Sequence, residues 1–127
     1  MPPDQWALAE LDRIAGLALP ATGEIERYHT LLSNTMRHYL ELRFQVPASQ
    51  QTTPEFLKTV STSEFLTREQ QQILGQFLEH CDLAKFARVG FSEEQCLAAV
   101  HMARTLIEQT APAVATGKAD AARRQAD

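Results

Sequence analysis

Apolar residues recur every three or four positions along almost the whole chain, and this periodicity is the feature that most constrains the fold. Such spacing places the apolar side chains on one face of an α-helix, whereas a half-buried strand requires strict alternation. No sustained run of strict alternation interrupts the pattern. The sequence therefore predicts an all-α protein, a compact bundle of about five helices.

The longest periodic segment, roughly 23–45, is predicted to be a long central helix. One inward face is traced by Ile25, Tyr28, Leu32, Met36, Tyr39, Leu40 and Phe44. Glu24 and Glu26 lie in its first turn and Arg43 in its last, which the helix dipole favours at each end. Pro47 follows and prevents the helix from continuing.

Two helix starts are predicted from residues that accept hydrogen bonds from unpaired backbone N–H groups. Asp4 is the expected N-cap of a first helix over 4–17. Thr53 is the expected N-cap of the third helix, since Pro54 follows it and a proline at the first helical position loses no hydrogen bond.

Two further starts are predicted from the spacing of a capping box. Gln70 follows Thr67 by three residues, and Gln95 follows Ser92 by three, so each pair can satisfy two backbone donors reciprocally. Phe91 is the expected hydrophobic staple of the last helix. Between these starts, 82–88 either prolongs the fourth helix or forms a short helix of its own.

Length and composition indicate one domain with a tail. The 127 residues are enough to bury a core, and the predicted helical domain covers 1–111. The remainder, 112–127, is rich in alanine and nearly free of large apolar residues, so a mobile C-terminal tail is expected. No apolar stretch approaches the length of a membrane span, which predicts a soluble chain.

The charge pattern disfavours nucleic acid as a partner. The formal net charge is −4, and basic residues alternate with carboxylates along every segment instead of gathering on one face. A nucleic-acid-binding domain nevertheless stays an alternative, with a basic face assembled from different helices. Its members would be Arg68, Lys85, Arg88 and Arg104.

The sequence predicts neither an enzyme nor a cofactor. The two cysteines, Cys81 and Cys96, stand among apolar neighbours, which indicates buried thiols in a reducing compartment. The four histidines include no pair at the spacing of four that a helical metal site uses, and no nucleophile motif is present. A small ligand or metal site built from His80, Cys81 and Cys96 is the remaining alternative.

Two polar clusters supply the candidate partner-binding residues, which are Arg37, Arg43, Asp82 and Lys85. Structural pairing is the competing interpretation. Arg37 and Glu41 are four positions apart on the central helix, and Asp82 and Lys85 are spaced to meet on one helical turn.

Three motifs in this order resemble a known family. The first runs from Arg37 to Phe44. The second is the Thr53–Leu57 segment, and the third consists of Phe77, Leu78, Cys81, Asp82, Lys85, Phe86 and Ala87. Over roughly 6–110 the chain resembles the cytoplasmic helical domain of a bacterial single-span membrane-protein family. That family is related to the BatD-like proteins encoded beside MoxR-type AAA ATPases and von Willebrand A-domain proteins.

The resemblance implies a partner set and a location. The partners would be a MoxR-type AAA ATPase and a von Willebrand A-domain protein. The chain would be the cytoplasmic part of an inner-membrane protein, anchored through a span that this sequence does not contain. Together with the lack of a catalytic motif, the leading hypothesis is a non-catalytic protein-interaction module.

Overall fold

The fold is all-α, as the periodicity predicts, and the computed structural model describes residues 2–62, 64–86 and 92–111. Five α-helices occupy these ranges, and no strand occurs in them: α1 (Pro3–Gly16), α2 (Ile25–Phe44), α3 (Thr53–Ser61), α4 (Arg68–Phe86) and α5 (Glu93–Thr110). Two single 3₁₀ turns, Pro20–Thr22 and Ala48–Gln50, follow α1 and α2. The predicted tail, 112–127, lies outside the described residues.

Helix α2 is the centre of the bundle. It packs against α1, α4 and α5, while α3 packs on α4. The predicted long central helix is confirmed, but its ends differ by one or two residues. Gly23 and Gln45, the predicted end residues, both adopt left-handed backbone angles, with φ of 83° and 60°, and therefore lie outside the helix.

The core consists of the helical stripes that the sequence predicts. Large side chains that are fully buried come from every helix: Leu11, Ile14, Leu32, Met36, Tyr39, Leu40, Phe56, Leu74, Phe77, Leu78, Leu106 and Ile107. Full burial of an aliphatic or aromatic side chain contributes about 1.5–3 kcal/mol, so these residues provide most of the driving force for assembly.

Both N-caps predicted without a capping box are wrong. Helix α1 begins at Pro3, and Asp4 is a first-turn residue near the positive end of the helix dipole. Helix α3 is capped by Thr52, not Thr53. Its Oγ1 accepts from the N–H of Glu55 at 3.3 Å, and Glu55 Oε1 accepts from the N–H of Thr52 at 2.9 Å. This reciprocal pair satisfies two donors, which shifts the start by one residue.

The two predicted capping boxes are confirmed. Thr67 and Gln70 exchange hydrogen bonds of 3.0 Å at the start of α4. Ser92 and Gln95 do the same at the start of α5, at 2.8 and 3.1 Å. The predicted staple residue, Phe91, lies outside the described residues.

Buried tyrosine hydroxyls of α2 are anchored on α5. Tyr28 donates to the carbonyl of Cys96 at 3.1 Å. The hydroxyl of Tyr39 lies 2.7 Å from Thr110 Oγ1, which itself donates to the carbonyl of Leu106 at 2.8 Å. Because a buried hydroxyl without a partner is costly, these bonds fix how α5 is placed along α2.

None of the helices in the described ranges is long and apolar enough to cross a lipid bilayer. Each of them has an apolar face directed at the other helices and a polar face directed outward.

We expect Tyr39→Phe to lower the free energy of unfolding by about 1 kcal/mol, because it removes a buried hydrogen bond while keeping the ring. Urea unfolding followed by circular dichroism measures the loss. Combining it with Thr110→Val should give less than the sum of the two single losses, since both changes remove the same contact. If the two losses in unfolding free energy were strictly additive, the contact between Tyr39 and Thr110 would be contradicted.

Candidate functional site

An open cleft of about 510 Å³ lies on the surface of the described part of the chain. We call it the α1–α2–α4 cleft, because those helices supply its walls together with the loop that follows α2. It is lined by Trp6, Glu10, Arg13, Leu31, Asn34, Thr35, Arg37, His38, Gln51 and Lys85. Its volume falls within the range of about 300–1,000 Å³ that is typical of ligand sites.

Two of the four predicted partner-binding residues line this cleft. Arg37 comes from the middle of α2, and Lys85 comes from the last turn of α4. Asp82 lies beside them, one helical turn before Lys85, whereas Arg43 is engaged elsewhere. The tertiary structure therefore combines parts of two clusters that are more than forty positions apart in the sequence.

Arg37 fastens the loop between α2 and α3 to the central helix. Its Nη1 donates to the carbonyls of Ala48 and Gln51 at 2.9 and 2.8 Å, and its Nη2 donates to Thr53 Oγ1 at 2.8 Å. The guanidinium also lies 5.5 Å from the ring centre of Phe56. Arg37 is thus a structural clamp as well as part of the cleft wall.

The electrostatic setting of Arg37 is partly desolvated. Burial lowers the pKa of its guanidinium, and the nearby Asp82 carboxylate opposes that shift. The spacing of Arg37 and Glu41 suggested a surface pair on α2. Instead, the hydrogen bonds of Arg37 go to the loop, and Glu41 Oε1 lies 3.6 Å from Nδ1 of His38.

Asp82 and Lys85 form the predicted pair on one helical turn, with Nζ 3.4 Å from Oδ1. Both side chains are partly buried. Helix α4 continues through this segment to Phe86, which favours prolongation over a separate short helix. Asp82 consequently lies inside helix α4.

Arg43 contacts the C-terminal end of α5. Its Nε donates to the carbonyl of Thr110 at 3.0 Å, and its guanidinium lies 4.7 Å from the ring centre of Phe44. A carbonyl in the last turn of a helix has no intrahelical partner, so this bond caps the end of α5. Arg43 is not among the residues of the cleft.

The sequence did not predict that residues of α1 line the cleft. Trp6 is only partly buried and meets His38 edge to face, with ring centres 4.9 Å apart. Glu10 binds Arg13 through hydrogen bonds of 2.9 and 3.0 Å, which lower the pKa of that carboxyl. Local periodicity gives no signal for a contact between α1 and the exposed side of α2.

The cysteines are buried, as predicted. Both thiols are free, and burial raises the pKa of Cys81 to about 12 and also raises that of Cys96. Within 2–62, 64–86 and 92–111, no group of three or more His, Cys, Asp or Glu residues is arranged to hold a metal ion. His80, Cys81 and Cys96 therefore do not form such a group.

His29 is a buried residue of the central helix. Its side chain is fully buried, its Nδ1 donates to the carbonyl of Ile25 at 2.8 Å, and its ring centre lies 5.1 Å from that of His80. Burial lowers the pKa of both histidines. Neutral imidazoles are consequently part of the α2–α4 packing.

Two of the four basic residues proposed for a nucleic-acid-binding face form ion pairs with carboxylates. Arg104 of α5 lies 2.6 Å from Asp12 of α1, and Lys85 is paired with Asp82. Arg88, another member of that face, lies outside the described residues.

We expect Arg37→Lys to lower the free energy of unfolding by about 2 kcal/mol, because an ammonium group cannot make the three forked hydrogen bonds to the loop. Thermal and urea unfolding measure the loss. The matched control is Arg27→Lys, since Arg27 is exposed and lies 3.7 Å from Glu24. The control should change stability by less than about 0.5 kcal/mol, and equal losses in both variants would contradict the clamp.

Stability should fall as the pH is lowered from 7.5 to 5.5. His29 and His80 have pKa values below the ordinary 6.5 in the folded state, so the unfolded chain takes up protons first. Urea midpoints across this range measure the slope. The His29→Gln variant should have a shallower slope, whereas the exposed control His101→Gln should retain that of the parent chain. Identical slopes for His29→Gln and the parent would contradict this origin.

Comparison of the chain with protein-family models, with curated proteins and with solved structures gave no match. The resemblance to the BatD-related cytoplasmic domains therefore stays a prediction from the sequence motifs. The described part of the chain is an all-α bundle with a cleft beside its central helix, and both polar and apolar residues line that cleft.

Proposed function

We propose that the protein is a non-catalytic interaction module and that the α1–α2–α4 cleft is its binding surface. The observation that carries the proposal is the convergence of Arg37 and Lys85, from different helices, in one cleft beside the partly buried Trp6. The sequence motifs had singled out both basic residues for other reasons, namely their place in two polar clusters.

The chemistry of the cleft is that of protein interfaces. Tryptophan and arginine are the residue types most enriched among those that dominate binding energy, and they act best when they are partly desolvated. Trp6 and Arg37 are both partly buried, while Asn34 and His38, which also line the cleft, are exposed. A partner would meet an apolar surface with charged groups at fixed positions.

The state of the nucleophilic side chains supports a binding role. Thiol chemistry requires the thiolate, yet the pKa of Cys81 is about 12 and its side chain is fully buried. Cys96 is also buried, and burial raises its pKa. Neither cysteine is among the residues that line the cleft.

For partners, the proposal adopts those implied by the resemblance. The module would bind a MoxR-type AAA ATPase or a von Willebrand A-domain protein on the cytoplasmic side of the inner membrane. Anchoring would depend on a membrane span outside this chain. Recognition by a non-catalytic adaptor is consistent with a cleft whose groups are positioned by packing and hydrogen bonds, as Arg37 is.

The test measures binding of the full chain to those two proteins from the same organism. Asn34→Trp fills the cleft from an exposed position on α2 and removes no core contact. We expect it to weaken binding at least about tenfold, because an interface at the cleft cannot form around a blocked centre. Isothermal titration calorimetry gives the dissociation constants.

The matched control is Gln76→Trp, which introduces the same side chain at an exposed position of α4 that does not line the cleft. It should bind as tightly as the parent chain. Absence of binding to both proteins would refute the proposed partners, and equal binding by the two tryptophan variants would refute the cleft as the surface.

A further inference from the structure

The α1–α2–α4 cleft has one cationic group whose hydrogen-bonding capacity is only partly used. A guanidinium has five N–H donors, and the described residues accept three of those on Arg37. Both donors of Nη1 and one of Nη2 are taken. The Nε–H and one of the two Nη2–H donors have no acceptor among the described residues. Nε and Nη2 lie side by side along one edge of the planar group, and such an edge can bind two carboxylate oxygens.

The charges around this edge are unequal in number. Arg37, Asp82 and Lys85 interact with one another, and together they carry two positive charges and one negative charge. On the opposite wall, Glu10 and Arg13 satisfy each other in a bidentate pair. The group of Arg37, Asp82 and Lys85 therefore has a net charge of +1, although the whole chain has a net charge of −4. The nearby carboxylate of Glu41 lies beside His38.

The apolar part of the cleft lies beside the charged part. Trp6 and Leu31 are partly buried against the core, and both line the same surface as Arg37 and Lys85. A ligand that fills the cleft thus meets both cationic groups and apolar surface. A free inorganic anion would use only the first of these features.

We infer that the cleft recognises an acidic segment of a protein partner, in which a glutamate or aspartate side chain lies beside an apolar residue. The carboxylate binds the Nε–Nη2 edge of Arg37 and the ammonium of Lys85, and the apolar neighbour packs on Trp6 and Leu31. This inference rests on the proposed function and specifies the chemistry of the partner. Charge complementarity is its basis, because a second carboxylate beside Asp82 balances the two cations.

The experiment titrates the full, ¹⁵N-labelled chain with two blocked peptides that differ in one group, acetyl-Ala-Leu-Glu-Leu-Ala-amide and its glutamine counterpart. We expect saturable shifts at the Trp6 indole and Arg37 Nε signals with the glutamate peptide. The glutamine peptide should bind at least about fivefold more weakly, because it cannot make charge-assisted hydrogen bonds. Equal binding of the two peptides would overturn the inference.

Lysine variants localise the effect without disturbing the Arg37 clamp. Lys85→Met keeps the aliphatic stem and should weaken the glutamate peptide severalfold. Lys58→Met, at an exposed position of α3 outside the cleft, should not weaken it. An equal loss in the two variants would indicate only a general charge effect and would overturn the site.

A third titration tests whether the cleft recognises a peptide segment or any small carboxylate. Sodium glutarate that produces the same shifts at the same concentration as the glutamate peptide would overturn recognition of a peptide segment. The proposed function is tested independently by Asn34→Trp. Loss of partner binding in that variant, with no difference between the two peptides, would refute the carboxylate inference and leave the interaction module standing.

Discussion

The packing of three helices around α2 is the constraint on which the rest of the structure depends. A helix covered by α1, α4 and α5 has little surface left for polar groups, yet α2 carries tyrosines and a histidine on its buried faces. The hydroxyls of Tyr28 and Tyr39 reach α5, and the imidazole of His29 bonds back to its own helix. Since unpaired buried polar groups are costly, these contacts define the position of α5 relative to α2.

Arg37 connects this core to the cleft. Its guanidinium holds the loop after α2 in place, and Arg37 is also one of the residues that line the cleft. A side chain that is fixed by its own hydrogen bonds loses little further freedom when a ligand binds. The clamp would therefore preorganise the proposed binding surface, so both stability and recognition are expected to depend on Arg37.

Both cysteines and one histidine contribute to the packed interior. Cys81 and Cys96 are buried thiols with raised pKa values, and His29 is a buried imidazole with a lowered one. In each case the cause is desolvation, which favours the neutral form. What distinguishes the cleft from these sites is that Lys85 and Asp82 are charged and partly exposed.

The helices, most of their boundaries and the core stripes could be predicted from the amino-acid sequence, because periodicity, capping boxes and prolines act within a few residues. The Thr67–Gln70 and Ser92–Gln95 boxes and the Asp82–Lys85 pair are local in this sense. Three features could not be predicted without the tertiary structure: Arg37 and Lys85 share a cleft with Trp6, His29 is buried, and Arg43 caps α5. These outcomes depend on how helices far apart in the chain pack together, and the spacing of residues within one helix contains no information about which neighbour covers it.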